Sequence, residues 1–123
     1  MNVPDNLYYT KDHEWVRLEN GIATIGITDY AQSELGDIIY FEFPDIGFNC
    51  RAGDTIGTIE AVKTVADLYS PLKGMIKKIN STLESKPELV NIDPYDTGWI
   101  LKLDKIDEGQ PALLSANEYK III

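Results

Sequence analysis

The central stretch from Thr55 to Gly74 restricts the fold more than any other part of the chain. Two runs rich in β-branched and apolar residues, Thr55 to Val62 and Val65 to Tyr69, flank a Lys63-Thr64 pair. Such runs favour extended backbone, so the pattern predicts a tight hairpin with its tip at Lys63. Pro71 and Gly74 punctuate the return, because proline lacks the ladder donor and glycine lets the chain reverse. A lysine at such a tip points outward from a fixed backbone, which suits covalent attachment. The chain has nine lysines, so geometry alone leaves Lys63 an ordinary solvated charge; its neighbours must distinguish it.

The rest of the chain reads as more short strands. Tyr8 to Thr10 adds a short one, and Glu14 to Leu18 and Ile22 to Ile27 flank Asn20-Gly21, a hairpin signal because both residues tolerate positive φ. Thr28-Asp29 supplies capping oxygens for a short helix that carries Ala31 and Leu35 on one face and stops at Gly36. Ile38 to Phe43, Met75 to Ile79 and Trp99 to Leu103 are further strands. The stretch from Asn80 to Gly98, rich in Ser, Asn, Asp and Pro, is expected to be an ordered surface loop with one helical turn at Pro87 to Val90. Residues 1–7 are expected to form an N-terminal arm, and 108–123 a C-terminal helical segment, with Pro111 at a first helical position and Ser115 to Glu118 spaced as a capping box. This predicts a mainly β sandwich or flattened barrel with short peripheral and C-terminal helices.

Its 123 residues, 44% of them hydrophobic, are expected to form one domain, long enough to bury roughly two thirds of its unfolded surface without disulfides. A net charge of −9 argues against nucleic acid and anionic membranes as partners. The single cysteine, Cys50, sits in a polar, turn-like segment and fits a reducing compartment. No apolar run approaches the ~18 residues that span a bilayer, and no signal or presequence pattern is visible, so a cytoplasmic protein is expected.

A conventional catalytic set is missing. His13 is the one histidine, so no His cluster can form a zinc site, and a packing or hydrogen-bonding role is expected for it. No phosphate-binding loop or nucleophile elbow appears.

The residues around Lys63 carry a resemblance. Glu60-Ala61-Val62-Lys63-Thr64-Val65-Ala66-Asp67-Leu68-Tyr69-Ser70-Pro71 closely resembles the lipoyl-attachment motif of the glycine cleavage system H protein family, with a Glu three residues before the lysine and an Asp-Leu-Tyr-x-Pro run after it. His13-Glu14-Trp15-Val16, Ile25 to Gln32 with Leu35-Gly36-Asp37, and Pro87 to Asn91 with Pro94-Tyr95 and Gly98-Trp99 are similar to the same family, so the likeness covers nearly the whole chain. It implies a barrel-sandwich hybrid and a non-catalytic carrier bearing lipoic acid on Lys63. Implied partners are the glycine decarboxylase (P protein), the aminomethyltransferase (T protein), dihydrolipoyl dehydrogenase (L protein) and a lipoate ligase or octanoyl/lipoyl transferase. The carrier would take the aminomethyl group of glycine from P to T and electrons to L, as a monomer. By the same resemblance Glu60 serves recognition, while Glu14 and Asp67 dock the loaded arm.

Two other carriers share this scaffold. Biotinyl domains place methionines beside the lysine, whereas Lys63 lies between Val62 and Thr64; lipoyl domains of 2-oxo acid dehydrogenases carry an Asp directly before it. A stand-alone relay that donates lipoate to other complexes, and an unmodified β-domain serving as an interaction module, are the remaining alternatives.

Overall fold

The computed structural model describes residues 1–107 and 113–123. Two antiparallel sheets face each other across the main core. The larger has the order β1-β2-β3-β9-β8-β5, from β1 (Tyr8–Tyr9), β2 (Glu14–Glu19), β3 (Ile22–Ile27), β5 (Asn49–Cys50), β8 (Gly74–Ile79) and β9 (Leu101–Asp104). The smaller is β4 (Ile38–Glu42), β6 (Thr55–Ala61) and β7 (Val65–Tyr69), in the order β4-β6-β7. Helix α1 (Asp29–Leu35) links β3 to β4, α2 (Thr82–Ser85) and α3 (Leu89–Ile92) lie between β8 and β9, and α4 (Ala116–Ile122) ends the chain.

Alternation explains the sandwich. Val16, Ala23, Ile25, Leu101 and Leu103 from the larger sheet meet Phe41, Ile56, Ile59 and Leu68 from the smaller one, all buried in one cluster, as period-two patterning requires. Asn20 and Gly21 take φ of 52° and 75°, the geometry their hairpin needs. The adjacent lysines 77 and 78, which blur the alternation of β8, straddle a register shift between Ile76 and Lys78. A bulge absorbs one residue and lets both lysines reach solvent.

Residues 1–7, expected to form an N-terminal arm, lie against the body of the protein. Val3 and Leu7 are buried with Tyr9, Trp15, Tyr95, Ala116 and Tyr119 in a second apolar cluster. This cluster covers the outer face of β2, where Trp15 lies opposite Gly26. A Cβ on Gly26 would fall 2.6 Å from the indole, so the ring lies flat on the bare backbone. Tyr9 stacks on Tyr119 at 4.8 Å between centroids, and α4 is held by the full capping box expected of Ser115 and Glu118. The expected helix start at Pro111 lies outside the described residues.

Two further expectations need correction. The stretch between β8 and β9 contains two helical turns rather than one, pinned by buried Leu83 and Val90; both belong to the main core. Cys50 is 2% exposed rather than on a turn, with its thiol 3.3 Å from Ser70 Oγ and 3.4 Å from the Gly74 carbonyl. Among the described residues no helix is long and apolar enough to cross a membrane.

Candidate functional site: the β6–β7 tip and its acidic cleft

Strands β6 and β7 pair Ile59 with Ala66 and Glu60 with Val65, leaving Ala61 to Thr64 to turn the chain. The turn is held twice, by the Ala61 N–H on the Thr64 carbonyl at 2.8 Å and by the Val62 N–H on the Asp37 carbonyl at 2.9 Å. Lys63 is exposed at this tip. Its stem has a resting place at Gly36, the C-cap of α1, where an added Cβ would lie 3.3 Å from Lys63 Cε. Gly36 has φ of 77° and donates its N–H to Gln32, so it can end the helix and offer a flat surface, which a side chain in this left-handed region would disfavour.

Leu35, the residue before Gly36, lines a cleft of about 300 Å³. Ile27 and Leu68 wall it from the two sheets and Ala31 and Leu35 from α1, the helix face read from the sequence. Its polar lining is acidic: Asp12, Glu14, Glu34 and Asp67, with His13 and Tyr30. Glu14 is 2% exposed. Its Oε1 accepts from the Thr10 hydroxyl at 2.7 Å and its Oε2 from the Tyr69 N–H at 3.1 Å. Burial outweighs these bonds and pushes its carboxyl up to about 7.

His13 is fixed from behind. With φ of 66°, it sets Nδ1 2.8 Å from the hydroxyl of Tyr119, which also lies 2.7 Å from Thr28 Oγ1. Thr28 in turn caps α1 by accepting from the Ala31 N–H at 3.1 Å. The C-terminal helix thus ties one wall of the cleft to the start of α1. Partial burial lowers the His13 pKa against the opposing pull of Asp12 and Glu34, which favours the neutral imidazole. The hydrogen-bonding role expected for His13 is present, together with a place in the cleft wall.

Glu14 and Asp67, far apart in sequence, therefore line one cavity whose wall at Leu35 is next in sequence to Gly36, where the Lys63 stem rests. Glu60 is elsewhere, on the exposed face of the smaller sheet opposite Tyr40 and Val65. Glu34, Tyr30 and Thr10 escaped sequence reasoning. The first two could have been found by extending the Ala31–Leu35 face of α1 by one helical position, since Tyr30 and Glu34 repeat the same i, i+4 spacing. No group of three or more metal-ligating side chains is assembled among the described residues.

Comparison with known proteins identifies the family. The profile of the family described as glycine cleavage H-protein matches residues 7–123. A glycine cleavage system H protein from Listeria monocytogenes serotype 4a is 50% identical over 100% of this chain and 99% of its own. One from Bacteroides thetaiotaomicron is 51% identical over 100% and 98%. The crystal structure of a glycine cleavage system H protein from Mycobacterium marinum superposes with a TM-score of 0.88 at 33% identity, covering 95% of each chain. The chain belongs to the glycine cleavage H-protein family, the non-catalytic lipoyl carriers of the glycine cleavage system.

Proposed function

We propose that Lys63 is the lipoate-bearing residue of this chain and that the acidic cleft holds the distal end of the arm together with a cationic amine. The observation that carries this reading is the contiguity of an exposed lysine on a doubly held turn, the bare backbone of Gly36 against its stem, and the cleft that begins at Leu35. The residues fit the group: the cleft has apolar walls for a hydrocarbon arm and carboxyl groups for an amine. Lipoate, when bound, supplies a dithiolane whose sulfurs take up and release carbon and electrons.

The chain's own residues orient and protect. Ile27, Ala31, Leu35 and Leu68 exclude water along the arm, which strengthens electrostatic contacts within. Asp12, Glu34 and Asp67 set a negative rim and Glu14 the floor. An ammonium seated there favours the ionised form of Glu14, whose two oxygens already accept from Thr10 and Tyr69, so binding of the cation is coupled to release of the Glu14 proton. These acids support an amine carrier over a relay of lipoate alone, which requires no partner for a cation.

The P, T and L proteins of the system, with a lipoate ligase or octanoyl/lipoyl transferase, are the proposed partners, and the carrier is proposed to act as a cytoplasmic monomer. Glu60, close to the tip and exposed, is proposed to steer these encounters. Intact-mass measurement after expression with a lipoylating system tests attachment. Wild type gains one lipoyl group and Lys63→Arg gains none; an increment that persists in the variant overturns the assignment.

A further inference from the structure

The outer face of the larger sheet carries a feature unrelated to the tip. Register aligns Arg17, Thr24, Lys102 and Lys78 in one row across β2, β3, β9 and β8. The flanking acids are taken: Glu19 lies 3.7 Å from Arg17, and Asp104 lies 3.8 Å from Lys77. Lys78 and Lys102 remain directly opposite each other, and neither makes an ion pair among the described residues. Both ammonium groups instead stand over the half-buried Trp99 ring, at 5.9 and 5.0 Å from its centroid.

Like charges directly across a ladder destabilise a sheet, and the usual structural reasons do not account for the pair. Lysines guard sheet edges against pairing, and β8 is open at Lys78 because β5 reaches only Gly74 and Met75; but Lys102 lies on β9, flanked by Thr24 of β3 and Lys78 of β8. Added charge promotes solubility, but in a chain of net charge −9 two lysines bring the total closer to zero. Adjacent strands lie about 4.8 Å apart, a spacing at which two ammonium groups can share one carboxylate. We propose that this face is a docking surface for the acidic surface of a partner protein, with a partner carboxylate seated between Lys78 and Lys102 against Trp99.

Other polyanions fit less well. Nucleic acid stacks bases on an open aromatic face, whereas both lysines stand over Trp99. The contact is small and charged, so it is weak and salt-sensitive. Lys63 belongs to the opposite sheet, so a partner docked on the Trp99 face leaves the tip and its cleft free.

The test titrates the intact protein with an oligoglutamate peptide while following the two tryptophan indole N–H resonances, assigned with Trp99→Phe. Inorganic phosphate and oligothymidylate form separate arms. The expected result is a saturable shift of Trp99 with oligoglutamate, weakened about tenfold as ionic strength rises from low to physiological, with Trp15 unmoved. The shift is lost in Lys78→Glu/Lys102→Glu and in the milder Lys78→Gln/Lys102→Gln, each checked for a native spectrum, and is retained in the control Lys73→Glu/Lys86→Glu. No shift at low salt, an equal loss in the control, or tighter binding of phosphate or oligothymidylate than of oligoglutamate would overturn the proposal.

Discussion

Glu14 has a carboxyl group almost closed off from water, with two hydrogen-bond donors and, among the described residues, no ion pair. Below about pH 4.5 it is protonated in folded and unfolded chains alike. Between there and about pH 7 the unfolded chain releases the proton and the folded one keeps it, so the contribution of this residue to stability falls as pH rises through the folded value. A rise from 4.5 to about 7 corresponds to about 3 kcal/mol. Glu14→Gln has no proton to lose, so it gains stability relative to wild type by about that amount between pH 4.5 and 8. Urea midpoints of the two proteins across this range measure it; a pH-independent difference would contradict the burial argument. That Glu14 and Asp67 share one cleft was legible only through the family resemblance of the His13-Glu14-Trp15 and Asp67-Leu68-Tyr69 stretches. Thr10 was not, since only the folded loop brings Thr10 Oγ1 to Glu14; Glu34 was legible only as an extension of the Ala31–Leu35 face, because a glutamate on a short helix otherwise reads as a solvated charge.

At the scale of elements, α1 and the β6–β7 hairpin form one unit through Gly36, Asp37 and the tip. Gly36→Ala forces a side chain into positive φ, at a cost of about 1–2 kcal/mol, and crowds the Lys63 stem. Its expected phenotype combines a lowered urea midpoint with slower lipoylation, whereas Gly47→Ala, also at positive φ but in open space, lowers stability alone. Unchanged lipoylation in Gly36→Ala would remove Gly36 from the account of the arm. The hairpins were the most readable elements, because Asn20-Gly21 and the paired β-branched runs state their turns locally. The two turns of helix after β8 were hidden in a polar stretch, and what fixes them is burial of Leu83 and Val90, a tertiary effect. Cys50 was misread for the same reason: its neighbours are polar, but its strand pairs with β8 and turns the thiol inward.

The whole molecule is a sandwich whose second cluster, built from both chain ends, braces the cleft. Alternation made the two sheets legible; the burial of Val3 and Leu7 was not, because two apolar residues in a polar segment give no period. Tyr119→Phe removes the hydroxyl shared by His13 and Thr28, with an expected cost of about 1–3 kcal/mol and a His13 resonance that titrates differently; an unaltered His13 titration would show that α4 does not position it. Glu60→Gln should slow lipoylation most at low ionic strength, and equal rates at every salt concentration would reject steering. The central claim is that the place of Lys63 on the rigid tip, and not the mere presence of a lysine, defines the attachment site. The direct measurement is the intact mass of Val62→Lys/Lys63→Val after expression with a lipoylating system, beside wild type. The account predicts one added lipoyl group on wild type and none on the variant, whose lysine has left the position beside Gly36; a variant modified as fully as wild type would contradict it.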